Sequence, residues 1–181
     1  MTRIHHIKKN TADAAAQELL SGVKKKLGGV PNLIATMAVS PAVAKAYLAF
    51  SQALSGGALP ARLREQIALV VGQQNQCEYC VAAHTALGKN AGLTEREALD
   101  ARLGKATNAK ERVALEFARK LVQDRGVVSD SEIEQVRQAG YTDGEIAEIV
   151  ANVSLNLFTN YFNHVAGTEV DFPEAPELCA A

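Results

Sequence analysis

Four times after residue 93, a side chain that can cap a helix is followed three residues later by a glutamate: Thr94 with Glu97, Asn108 with Glu111, Ser129 with Glu132, and Thr142 with Glu145. In this capping box the first side chain takes a free N–H at the start of a helix, and the glutamate reaches back to the cap's own N–H. Asn108 is a variant of the usual Ser/Thr box. Gly126, Gly140 and Gly167 stand at the matching ends, where a helix closes in the left-handed conformation. Four helix starts leave the second half of the chain little room for anything else, and Val127-Val128 is too short for a strand.

The first half is punctuated in the same way. Asn10/Thr11 can cap a helix that runs to about Lys26 and stops at Gly28-Gly29. Pro31 and Pro41 take first-turn positions, the second directly after Ser40. A helix over 42–54 ends at Gly56-Gly57, Pro60 opens another that reaches about Gln74, and a further one spans about 77–90 and closes at Gly92. The expectation is an all-α fold of about eight helices in one domain over residues 1–170, with a surface tail at 171–181 that carries Pro173 and Pro176.

Composition narrows the function. A chain of 181 residues with 48% hydrophobic and 22% charged residues can bury a core of its own. The net charge is −1, and the densest basic run, Lys24-Lys25-Lys26, fans over several helix faces, so nucleic acid is not an expected partner. The apolar stretch 146–162 is interrupted by Glu148, Asn152, Asn156 and Asn160, which is too polar for a membrane span. The N-terminus has no apolar run of the signal-peptide kind, so a cytoplasmic location is expected. There a CxxC pair is redox-active or metal-binding more often than a structural disulfide.

The pair in question is Cys77 and Cys80, followed by His84. The spacing i, i+3, i+7 puts all three on one helix face. Asn75-Gln76 fits a break between helices, which places the cysteines in a first turn whose free N–H groups and dipole favour a thiolate. His84 can hold the proton, and two thiols this close can form a disulfide once one has reacted. The implied chemistry is oxidation of a thiolate by a hydroperoxide and resolution by its neighbour, with His84 or Glu65 protonating the leaving alkoxide.

The bland alternatives are a zinc site and a pair of small buried side chains. A structural zinc needs four ligands; there is no second CxxC, and Cys179 lies in the tail. By spacing alone, Glu65 reads as a surface carboxylate paired with Arg62 or Arg64. His164, with Asn160 and Asn163, either lines a pocket near the cysteines or between subunits, or merely satisfies helix packing. His5-His6 reads as surface, and Phe158, Tyr161 and Phe162 as core or interface. No metal or cofactor is expected.

Glu65, Cys77, Cys80 and His84 together resemble the core motif of the AhpD-like alkylhydroperoxidases of the carboxymuconolactone decarboxylase superfamily. The close match covers about 59–92, and the segment 160–164 (Asn-Tyr-Phe-Asn-His) resembles the peroxidase-related branch. The resemblance implies an all-α fold, homo-oligomers and peroxidase activity. Cys80 would be the peroxide-reacting thiol, Cys77 the resolving thiol, Glu65 and His84 the proton relay, and a lipoyl-bearing or other dithiol the reductant. The rivals are a general CxxC disulfide reductase and a non-catalytic helical protein. One position departs from the pattern: the best-known members carry His before the second cysteine, where this chain has Tyr79, a phenol that cannot serve as a base at neutral pH.

Overall fold

The computed structural model describes residues 1–7 and 14–178. The Asn10/Thr11 cap and Cys179 lie outside the described residues. Nine helices and no strand are found among the described residues: α1 (Ala14–Leu27), α2 (Asn32–Met37), α3 (Pro41–Ser55), α4 (Ala61–Gln74), α5 (Glu78–Asn90), α6 (Glu95–Arg102), α7 (Ala109–Gln123), α8 (Asp130–Gln138) and α9 (Asp143–Ala166). The fold is all-α. The helix beyond the expected eight is α2, a six-residue element that opens after Pro31, whose fixed φ suits a helix entrance. No helix among the described residues is long and apolar enough to cross a membrane.

The capping pattern explains the helix starts, with one instructive exception. Thr94, Ser129 and Thr142 form complete boxes. Asn108 accepts from the backbone N–H groups of Lys110 and Glu111, but Glu111 does not reach back. Its carboxylate is taken instead by Arg62 at 3.3 Å and by Gln66 Nε2 at 3.1 Å, both on α4. A tertiary partner has outbid the local cap, because the guanidinium offers a charged donor where the backbone offers a neutral one.

Helix α4 is the centre of the molecule and packs against α5, α6, α7 and α9. From Gln66 to Gly72 every residue is buried, so this stretch is enclosed all round rather than amphipathic. The main core joins Leu63, Ile67, Leu69 and Val70 of α4 to Leu115 and Phe117 of α7, Val136 of α8 and Ile149 of α9. A second, smaller core lies between α2, α3 and α5, where Leu33, Met37 and Ala44 meet Cys77, Tyr79, Cys80 and Ala83. The cysteines therefore sit inside an apolar cluster.

Arg62 ties three helices together: it reaches Glu97 on α6 at 2.6 Å, Glu111 on α7, and the Gly92 carbonyl. Arg62 first, and then the Thr94 donors, hold the Glu97 carboxyl down to about 2. Because this folded value lies below the ordinary 4.5, the stabilisation is complete above about pH 4.5 and is lost as pH falls towards 2. Glu97→Gln is expected to be less stable at neutral pH and to show a flatter acid limb in that window, as measured by denaturant unfolding at stepped pH.

Candidate active site

Helix α4 ends in a Schellman motif. Cys77 N–H donates to the Gly72 carbonyl at 2.9 Å and Gln76 N–H to the Gln73 carbonyl at 3.1 Å, with Gln76 at φ 54° in the left-handed region. The next residue, Cys77, is the N-cap of α5, and its sulfur accepts from the backbone N–H of Cys80 at 3.4 Å. One tight turn thus ends one helix, starts the next, and sets a thiol at the positive end of the new dipole. A β-branched side chain suits the left-handed conformation poorly. Gln76→Val is expected to lower stability by about 1–2 kcal/mol, and Gln76→Gly to match or exceed the parent in thermal unfolding.

Cys77 and Cys80 are bonded to each other as a disulfide, with Cα atoms 5.3 Å apart, and each is 2% exposed. Among the described residues no group of three His, Cys, Asp or Glu converges as a metal ligand set.

Glu65 and His84 are brought together across the α4–α5 pair, with Oε2 2.7 Å from Nδ1. Arg62 and Arg64, the expected surface partners of Glu65, are engaged elsewhere: Arg62 with Glu97 and Glu111, and Arg64 with the Leu59 carbonyl at 2.5 Å. Close approach of the two helices makes the contact possible. A Cβ at Gly88 would stand 3.7 Å from Glu65 Cβ and 2.8 Å from Leu93 Cδ1, and one at Gly72 would stand 3.4 Å from Cys80 Cβ. With Nδ1–H donating to the carboxylate, Nε2 of His84 is the ring's acceptor. Both side chains are 22% exposed, so the dyad lies at the edge of the buried sulfur cluster. His84 lies one turn beyond Cys80 on α5.

Tyr79 has a structural place. Its phenol oxygen accepts from Leu33 N–H at 3.2 Å, and its ring meets Phe172 edge-on at 5.7 Å between centroids. Burial, above all, pushes the phenol far above its usual range. This disfavours a phenolate base at this position near neutral pH. Tyr47 on α3 is also raised, by burial first and then by the charge of Glu65.

Helix α9 closes the site from the other side. Asn160 Oδ1 accepts from Asn75 Nδ2 at 2.8 Å, and His164 Nε2 lies 2.8 Å from the Asn75 carbonyl. Asn163 Nδ2 donates to Cys80 Sγ at 3.3 Å and lies 3.9 Å from Cys77 Sγ. The late asparagines therefore divide. Asn160 and His164 grip the turn that carries the cysteines, while Asn163 alone reaches the sulfurs. The pattern that could have marked them is the run Asn152, Asn156, Asn160, Asn163, which lies on one face of α9 and is buried throughout. The chain pattern does not tell which of the four turns towards the sulfurs. His5 and His6 are exposed. Phe158 and Tyr161 are exposed, and Phe162 packs against the small core.

Comparison with known proteins gives the same frame. Residues 41–120 match the carboxymuconolactone decarboxylase family. No curated protein matches the chain in sequence. A peroxidase-related protein with an alkylhydroperoxidase AhpD core from Ralstonia eutropha JMP134 superposes with a TM-score of 0.85 and 26% identity, over 94% of this chain and 92% of that one. A peroxidase-related protein from Silicibacter sp. TM1040 gives 0.82 and 23%, over 97% and 96%. The debrominase Bmp8, in a cysteine-to-alanine variant bound to 2,3,4-tribromopyrrole, gives 0.79 and 19%, over 94% and 92%, and shares the fold. The chain thus carries a carboxymuconolactone decarboxylase family segment over residues 41–120, on an all-α fold shared with AhpD-like, peroxidase-related proteins.

Proposed function

We propose that this protein is a thiol peroxidase that reduces hydroperoxides through Cys80 and Cys77 and is recycled by an external dithiol. The observation that carries the reading is a disulfide at the N-terminus of α5 with His84 one turn further along the same helix, held at 2.7 Å by Glu65 of α4. In the reduced protein His84 takes the Cys80 proton. The thiolate attacks the terminal oxygen of ROOH; an S–O bond forms, and the O–O bond breaks with its electron pair leaving on RO⁻. The imidazolium returns its proton to give ROH. Cys77, as thiolate, attacks the Cys80 sulfur; the S–S bond forms, and hydroxide leaves and is protonated to water. A dithiol then reduces the disulfide and is itself oxidised. Glu65 orients His84 through the 2.7 Å contact to Nδ1.

With both cysteines 2% exposed, the oxidant must be slender enough to enter the small core, and the reductant must reach the pair as that cover opens. A lipoyl-bearing or other protein dithiol of a reducing compartment such as the cytoplasm fits this need.

The test is single turnover. Reduced protein carrying Cys179→Ser, given one equivalent of an alkyl hydroperoxide, should lose about two hydrogens in intact mass and recover them with dithiol. Bromopyrrole dehalogenation with no reaction towards hydroperoxides would transfer the reading to the chemistry that Bmp8's name carries. Reduction of disulfides alone would make the chain a general CxxC reductase.

Assembly belongs to the same proposal. Val150, Phe158, Tyr161 and Val165 are exposed along one side of α9, with exposures of 41%, 41%, 60% and 60%, and a homo-oligomer would cover them. Sedimentation at micromolar concentration should give a species larger than the monomer, and Tyr161→Glu should dissociate it.

A further inference from the structure

Four asparagines line the buried face of α9, and their amides are used differently. Asn152 Nδ2 donates to the Glu148 carbonyl and Asn156 Nδ2 to the Asn152 carbonyl, each one turn back on its own helix at 2.8 and 2.9 Å. Such back-bonding is the ordinary way for a polar side chain to live inside a helix bundle. Asn163 does not do this. It is 5% exposed, its Nδ2 points at Cys80 Sγ, and its Oδ1 is buried with no hydrogen-bond partner among the described residues. Its neighbours Asn160 and His164 both bind Asn75, which fixes α9 against the turn that carries the cysteines and leaves Asn163 little freedom to turn away.

A disulfide sulfur is a poor acceptor, whereas a thiolate is a strong one. A donor placed at 3.3 Å gains most of its interaction when Cys80 is reduced and ionised. A buried amide oxygen without a partner calls for a physical account. Here it lies on the same amide group that reaches the sulfur, where an approaching hydroxyl would supply the missing donor.

We propose that Asn163 is a further catalytic residue: its Nδ2 holds Cys80 as thiolate, and its Oδ1 receives the terminal O–H of the hydroperoxide so that this oxygen faces the sulfur. The assignment of the O–H rests on the peroxidase reading; the thiolate contact does not. In the step, the sulfur lone pair forms the S–O bond and the O–O pair leaves with the alkoxide, which His84 protonates. The O–H proton stays on the new sulfenic acid, still hydrogen-bonded to Oδ1. The amide neither gives nor takes a proton. Its effect is differential, stronger on the reacting species than on the resting disulfide.

The test uses the full chain with Cys77→Ser and Cys179→Ser, so that Cys80 is the one thiol left, and follows its ultraviolet thiolate absorbance against pH. Asn163→Leu should raise the ionisation midpoint by about one pH unit or more, since the donor is lost. Asn163→Asp should raise it further, because a carboxylate repels the thiolate. In the otherwise native pair, the equilibrium with dithiothreitol at neutral pH should shift about tenfold towards disulfide in Asn163→Leu. A structural role alone would alter thermal unfolding but leave the midpoint in place. Where the leucine variant fails to fold, the isosteric aspartate carries the test. A folded Asn163→Asp protein with the parent midpoint would overturn the thiolate contact. Hydroperoxide oxidation equally fast in parent and Asn163→Leu at a pH where both are fully ionised would overturn the Oδ1 role. No peroxide enters the titration, so a shifted midpoint in a protein that ignores hydroperoxides would sink the peroxidase reading and keep Asn163 as the thiolate's partner.

Discussion

Cys80→Ser is expected to eliminate peroxide-driven oxidation of the chain, whereas Cys77→Ser should still react once and then stop. Two features of the fold compete over which thiol is the nucleophile. Cys77 is the N-cap of α5, and its sulfur accepts the Cys80 backbone N–H at 3.4 Å, so the helix dipole favours a thiolate there. Cys80 has the shorter side-chain contact, 3.3 Å to Asn163 Nδ2 against 3.9 Å for Cys77, and lies one turn from His84 rather than two. A general base needs proximity above all, and the i, i+4 spacing of Cys80 and His84 favours Cys80 as the thiol it serves. In Cys77→Ser, hydroperoxide should therefore leave a sulfenic acid at Cys80 that a dimedone-type reagent traps, followed by over-oxidation to sulfinic acid. In Cys80→Ser, little sulfenate should form at Cys77. The opposite trapping pattern would exchange the two roles and make the N-cap position decisive.

Glu65→Gln and His84→Gln should each slow hydroperoxide-dependent oxidation of Cys80 by about 10²-fold or more near neutral pH, the usual reach of a positioned acid or base. The 2.7 Å contact between Glu65 Oε2 and His84 Nδ1 fixes both the tautomer and the direction of the ring. A neutral amide at 65 can offer its N–H as well as its oxygen to Nδ1, so it no longer fixes the ring's tautomer. Part of the lost rate should return at high pH, where hydroxide ionises Cys80 without a base. Neither variant should unfold the protein, because both side chains are 22% exposed and neither belongs to the apolar core. The readout is the pH–rate profile of sulfenate formation with circular dichroism as the folding control. A folded Glu65→Gln protein with parent rates across the pH range would reduce Glu65 to a carboxylate that merely sits near the site.

Most of the fold was legible in the chain because its helix boundaries are local events. Thr94, Ser129 and Thr142 make the reciprocal bonds that their spacing predicts, since cap and glutamate lie within one turn of each other. Asn108 shows where locality ends: its glutamate is drawn to Arg62 and Gln66, which stand more than forty residues earlier and are brought close only by α4–α7 packing. The short α2 is announced only by Pro31 at its entrance, because six residues carry too few turns to show a period.

The site divides in the same way. Cys77, Cys80 and His84 lie within two turns of one helix, so their spacing already states their geometry. Glu65 needed the resemblance, because its meeting with His84 depends on the Schellman turn at Gln76 and on glycine at 72 and 88. The sequence marks Asn163 with Asn160 and His164 as candidates near the cysteines, without telling which of them meets the sulfurs. The place of Asn163 at the sulfurs follows from how α9 docks on the α4–α5 turn, through contacts spanning more than eighty residues of chain.

Steady-state turnover of an alkyl hydroperoxide with a panel of dithiol donors, comparing the parent protein with Cys80→Ser, tests the peroxidase mechanism most directly. The parent should consume one dithiol for each hydroperoxide reduced to alcohol, over many cycles, and Cys80→Ser should fall to the uncatalysed rate with its fold intact. A parent protein that consumes no more than one equivalent of peroxide with every dithiol, or a Cys80→Ser protein that turns over as fast as the parent, would contradict that mechanism.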